Sequence, residues 1–140
     1  MYEYRCKIVK VIDGDTVDVD IDLGFGVWMK KERVRMMGLD TPESRTRDLE
    51  EKRFGNMAKD FVLDKLPIGS DQILKTFKDE TGKFGRILGD FIIDDNVSLV
   101  EAMIHNRLGV AYHGQSKDLI EQAHLDNRKY LIQLGFTDFS

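Results

Sequence analysis

The chain is poor in the residues that staple, break or anchor a fold. A single cysteine, Cys6, stands in 140 residues. It excludes an intrachain disulfide and any zinc site built on cysteines. Only two prolines, Pro42 and Pro67, and no low-complexity run argue against disorder. The unbroken apolar runs are a few residues long, so no membrane-spanning helix is expected. The stretch Met1-Tyr2-Glu3-Tyr4-Arg5-Cys6-Lys7 lacks an apolar core of signal-peptide length. A cytoplasmic, reducing location and no membrane partner are therefore expected. An excess of base is lacking too. The formal net charge is −4, which taken alone argues against strong non-specific binding to nucleic acid.

What is present is ordinary for one globular domain spanning 1–140. Hydrophobic residues make up 41% and charged residues 33%, enough apolar material for a core and enough charge to cover it. A chain of this length buries roughly two-thirds of its surface on folding, so the core needs no staples. The charge is uneven. Residues 13–22 hold five aspartates and no base, whereas residues 28–53 hold eight bases against six acids. A local positive field on an acidic body follows.

The first 40 residues read as strands. Residues 7–12 are β-rich and end at the turn Asp13-Gly14. Val17, Val19, Ile21 and Leu23 alternate with Asp18, Asp20 and Asp22, the period of a half-buried strand with an acidic outer face. Residues 31–39 read as a third strand. A helix over about 49–65 places Phe54, Met57, Ala58, Phe61 and Val62 on one face, and Pro67 and Gly69 end it. Residues 73–77 and 87–93 read as two further strands joined by a turn at 79–83. Ser98 and Glu101 form a capping box for a helix to about 108, with Gly109 as a left-handed stop. A last helix covers about 117–134, with Ile120, Ala123, Asn127, Tyr130, Leu131 and Leu134 inward and Gly135 at its end. Five strands with a helix after the third is the order of an OB-type barrel. The fold class is α+β: a five-stranded OB-type β-barrel, over about 2–97, with three α-helices.

Three clusters fall at strand ends or turns: Asp13-Gly14-Asp15-Thr16, Arg35 to Glu43, and Lys83-Phe84-Gly85-Arg86. Strand ends of a barrel converge, which would set Asp15 and Asp40 beside Arg35 and Arg86, with Glu43 nearby. Carboxylates with hydroxyl or carbonyl oxygens, and no thiol or imidazole, suit a hard cation such as Ca²⁺ or Mg²⁺. Arginines present planar forks to phosphate oxygens and keep their charge. A free carboxylate between them could orient or deprotonate water. Metal, two guanidiniums and a base are the requirements of phosphodiester hydrolysis.

Val11-Ile12-Asp13-Gly14-Asp15-Thr16, Val34 to Glu43 and Phe84-Gly85-Arg86 resemble, in order and spacing, the motifs of the staphylococcal-nuclease-like (thermonuclease) family. The resemblance covers roughly residues 7–135. It implies a five-stranded OB barrel with three helices, and Ca²⁺-dependent hydrolysis of DNA and RNA that leaves 3′-phosphate and 5′-hydroxyl ends. It implies Asp15, Asp40 and the Thr41 carbonyl as calcium ligands and Glu43 as general base. Arg35 and Arg86 become the phosphate-binding, transition-state arginines, Lys83 a terminal-phosphate contact and Tyr112 an aromatic at the nucleotide. Two positions depart from the pattern: Phe84 and Gly114 stand where the best-known member has tyrosines, which weakens binding of phosphate and base. A monomer is expected. The competing reading is a non-catalytic OB module that binds nucleic acid or a protein.

Several residues have plainer readings. Asp13 makes the turn. Asp18, Asp20 and Asp22 fail the calcium-loop pattern, which requires glycine at the sixth position and glutamate at the twelfth, and read as a solvated strand face. Arg45, Arg47, Lys52 and Arg53 read as a solvated face. His105, His113 and His124 lack a ligand pattern and read as surface or packing residues. Trp28 and its neighbouring methionines read as core or barrel rim, and Cys6 as an inert buried thiol.

Overall fold

The computed structural model describes residues 2–77 and 87–135. β1 (Tyr2–Asp13) and β2 (Thr16–Asp22) form an antiparallel hairpin turned at Gly14, and β3 (Trp28–Met36) pairs antiparallel with β2. The alternation is visible in the packing. Val17, Val19 and Ile21 are buried, while Asp18, Asp20 and Asp22 lie on the other face. β3 supplies counter-charges to that acidic face. Arg33 forms a two-point pair with Asp18 at 2.9 and 3.2 Å, which raises the guanidinium pKa still further, and Lys30 pairs with Asp20 at 3.6 Å.

β3 begins and ends earlier than residues 31–39, the span expected from its alternation. Pairing carries it back to Trp28, opposite Asp22. At the other end Gly38 takes φ +77° and breaks the ladder. The chain resumes as β4 (Leu39–Asp40), which pairs with β8 (Val110–Ala111) in a separate two-stranded sheet. Inserted between β4 and β5 is α1 (Leu49–Lys65), capped by the Asp48 carboxylate on the N–H groups of Glu50 and Glu51. Phe54, Ala58 and Val62 are buried on the expected face, against β1.

β5 (Asp71–Phe77) pairs antiparallel with β1 and with β6 (Ile87–Ile93). β6 then pairs parallel with β3, Arg35 opposite Leu88, and closes the barrel. The turn expected at 79–83 lies outside the described residues. A 3-10 turn at Asp94–Asn96 leads to β7 (Val97–Ser98) and α2 (Leu99–His105). The Ser98 hydroxyl accepts from the Glu101 N–H, as the capping box requires, and donates to the buried Asp90 carboxylate. Five long strands closed into a barrel, with three helices, match the expected fold class.

Two details of the helices differ from expectation. α2 stops at His105, because Asn106 caps it and Arg107, not Gly109, takes the left-handed conformation (φ +61°). Gly109 serves close packing: a Cβ there would sit 2.4 Å from Leu39 Cδ1 and 3.2 Å from the Asp40 carbonyl. In α3 (Lys117–Gln133) the inner face is more polar than expected. Leu131 is its one fully buried residue, the His124 and Arg128 side chains are 12% and 14% exposed, and Tyr130 and Leu134 are exposed. Among the described residues no helix is long and apolar enough to cross a membrane.

Candidate active site

Four of the expected site residues meet at one end of the barrel. Asp15 sits in the turn between β1 and β2, and Arg35 lies near the end of β3, opposite Thr16 in the ladder. The Met36 N–H donates to the Asp15 carbonyl at 2.8 Å, tying the β3 end to that turn. Asp40 is on β4, and the buried Thr41 follows it. The Thr41 N–H donates to Asp15 Oδ2 at 3.2 Å, so the β1–β2 turn and the loop after β4 are joined at the site itself.

Arg35 lies between the two carboxylates. Its Nη1 is 3.4 Å from Asp15 Oδ2 and its Nη2 is 3.8 Å from Asp40 Oδ1. Nη1 also donates to the carbonyls of Leu39 at 2.8 Å and Met36 at 3.2 Å. Among the described residues, Nε and Nη2 make no hydrogen bond. The backbone therefore fixes one edge of the fork, and the other edge keeps its donors for an incoming oxyanion. The three side chains are partly exposed: 13% for Asp15, 25% for Arg35 and 32% for Asp40. Water is largely but not wholly excluded, which strengthens each charge interaction.

Glu43 is exposed on the loop that follows Thr41. Its N–H donates to Glu51 Oε2 at 3.2 Å. Next to it, both the N–H and the hydroxyl of Ser44 donate to Asp13 Oδ1. Asp13 thus does more than turn the chain: it clamps the loop that carries Glu43. α1 clamps the loop from below. A Cβ on Gly55 would lie 2.3 Å from the Glu43 carbonyl oxygen and 2.7 Å from the Ser44 N, so only glycine lets helix and loop touch.

Tyr112 follows β8, and its N–H donates to the Gly38 carbonyl at 2.9 Å. This bond sets its backbone beside the turn between Arg35 and Asp40, and the residue is half-exposed. Lys83 and Arg86, with Phe84 and Gly85, lie outside the described residues. One residue that composition and periodicity passed over belongs here. His124 of α3 places Nε2 2.7 Å from Asp40 Oδ2. The only signal in the sequence was its place on the face of α3 that also carries Ile120, Asn127 and Leu131; its contact with Asp40 spans 84 positions.

A closed OB-type barrel with an arginine set between two aspartates at the strand ends defines a class of small nuclease-fold proteins. The chain belongs to the family described as staphylococcal nuclease homologue, which matches residues 33–130. Among curated relatives, the thermonuclease of Staphylococcus hyicus is 34% identical over 87 residues, covering 61% of this chain and 47% of that protein. The thermonuclease of Staphylococcus intermedius is 29% identical over 131 residues, covering 91% and 73% respectively. Endonuclease YhcR of Bacillus subtilis is 24% identical over 115 residues, 79% of this chain but 9% of that protein. The chain thus spans about half the length of the first of these and a small part of the last.

The donors present fit a hard cation. Asp15, Asp40 and Thr41 offer oxygen alone, the ligand type that calcium takes. Thr41 Oγ1 is buried and, among the described residues, has no hydrogen-bond partner, so the oxygen is open to a ligand. Among the described residues no three His, Cys, Asp or Glu side chains cluster as a metal site. Two carboxylates with the oxygens of one threonine would be the donors available to such an ion.

Proposed function

We propose that this chain is a calcium-dependent nuclease that hydrolyses phosphodiester bonds of DNA or RNA and leaves 3′-phosphate ends. The observation that carries the reading is the grouping of Arg35, Asp15, Asp40 and Thr41, with the Glu43 loop clamped beside them. An arginine between carboxylates binds and polarises an anion in a site that also attracts a dication. Family membership supports the same reaction class.

Asp15, Asp40 and Thr41 would hold the ion, which when bound supplies positive charge against a phosphate oxygen. Arg35 presents its Nε and Nη2 hydrogens to the equatorial phosphate oxygens. The attraction grows as negative charge builds on them, so the arginine acts on the transition state more than on the substrate. Glu43 is solvent-accessible and positioned by its loop; it takes the proton of the attacking water. Arg86 supplies the second guanidinium and Lys83 a further phosphate contact, both by resemblance. Tyr112 presents a half-exposed ring for a base to stack on. Localisation in the cytoplasm and action as a monomer complete the proposal.

The test is kinetic. Arg35→Ala is expected to lower kcat and kcat/KM together by about 10²–10³ on a labelled oligonucleotide, the usual loss for one transition-state donor. A near wild-type rate in a folded Arg35→Ala protein would remove Arg35 from the chemistry, whereas no cleavage by the folded wild type would favour the binding-module reading.

A further inference from the structure

Asp40 has two carboxylate oxygens, and the structure commits them to different neighbours. Oδ1 faces Arg35 Nη2 at 3.8 Å. Oδ2 meets His124 Nε2 at 2.7 Å. At that distance from a carboxylate oxygen the ring nitrogen must carry its hydrogen, because two facing lone pairs would repel; His124 is the donor. The histidine side chain is 12% exposed, better shielded than the 32% of its partner. Such a bond is hard to replace with water.

The helix that carries His124 is itself tied down. Asn127 Nδ2 donates to the Gly109 carbonyl at 3.3 Å, and Gly109 packs directly on Leu39 and Asp40. Arg128 Nη1 reaches Glu50 Oε1 at 3.3 Å and its guanidinium lies over the Phe54 ring. Leu131 enters the core. α3 is thus joined to the residue before β8, to α1 and to the core within the two turns that follow the histidine. A carboxylate held by a donor on so fixed a support loses its freedom to rotate before any cation arrives.

We propose that His124 is a positioning residue: it holds Oδ2 of Asp40, so that Oδ1 alone is turned toward Arg35 and a bound cation. The C-terminal helix, outside the barrel, then completes the cation site. This inference rests on the reading of Asp15, Asp40 and Thr41 as calcium ligands. A histidine that merely packs would need no carboxylate at hydrogen-bond distance.

The test is calcium binding by titration calorimetry on the full chain without nucleic acid, so that catalysis does not enter. Wild type should bind calcium. His124→Ala should weaken that binding about 10–100-fold, the usual effect of removing a group that orients a ligand. His124→Gln, which retains an N–H donor, should recover most of it. Asn127→Ala removes one tie of the helix but keeps the His124–Asp40 bond, and should weaken calcium binding far less than His124→Ala does, whatever it does to the melting temperature. If wild type binds calcium and folded His124→Ala and His124→Gln bind it equally well, the positioning role is wrong and the calcium reading stands. An equal loss in Asn127→Ala would reduce His124 to a packing residue. If wild type binds no calcium, the metal reading itself fails and this inference goes with it.

Discussion

Arg35 is held before any phosphate is considered, because carbonyls of its own strand end and of β4 take the hydrogens of Nη1. Arginine is required for that double duty. Lysine would place a point charge there but has no second edge to offer the substrate, so Arg35→Lys is not a conservative change. At Cys6 the expectation of an inert thiol holds. Burial, and then the nearby Asp71 charge, push its pKa up to about 12 from 9.0. The folded state holds this proton more tightly than the unfolded chain does. Its contribution to stability is therefore complete below pH 9 and is lost as pH rises toward 12. Chemical denaturation at pH 8 and pH 10.5 should show a drop in wild type that is smaller in Cys6→Ala; equal drops would contradict it. Asp15, Arg35 and Asp40 were legible as a group, since motif residues on neighbouring strand ends converge; Thr41 joined them through the family resemblance. Asp13 and His124 were not legible. Each acts on a residue far along the chain, Ser44 and Asp40, and no local pattern encodes such a partner.

Elements were legible where one face meets the core and the other meets water. The helix at 49–65 stands where periodicity set it, because its buried residues, Phe54, Gly55, Ala58 and Val62, are apolar; the strand at 87–93 stands as expected although Asp90 is buried in it beside Phe91. α3 was read less well. Its inner face carries an imidazole and a guanidinium, which hydrophobic periodicity counts as outward-facing. Strand β3 was shifted because its first residues, Trp28 to Lys31, are exposed on both faces and are held by pairing with β2 alone. Gly55 offers a test at this scale. Alanine at a helix interior normally adds about 1 kcal/mol relative to glycine. Here the added carbon meets the Glu43 and Ser44 backbone within 2.7 Å. Gly55→Ala should therefore lower the melting temperature and cut the nuclease rate, by pushing the Glu43 loop outward. A melting temperature raised by the substitution, with the rate unchanged, would show that the loop yields freely.

At the scale of the molecule, barrel closure makes the site. The parallel pairing of β3 with β6 ends the sheet at Arg35–Met36, beside the turn that carries Asp15. β4 and β8 then bring Asp40 and Tyr112 to the same end. β3 bases pair with two of the aspartates of β2, Asp18 and Asp20, on the outer face. A net charge of −4 gives little general attraction for a polyanion. On the proposed reading, substrate binding would depend on the local guanidiniums and the cation, and activity would fall steeply when the cation is removed. The most direct measurement is to incubate the purified protein with a short labelled single-stranded DNA, with calcium or with chelator, and to weigh the fragments by mass spectrometry. Fragments ending in 3′-phosphate, formed with calcium and absent with chelator, are the predicted result. Intact DNA in both, from protein shown to be folded, would contradict the account and leave the chain a binding module on a nuclease fold.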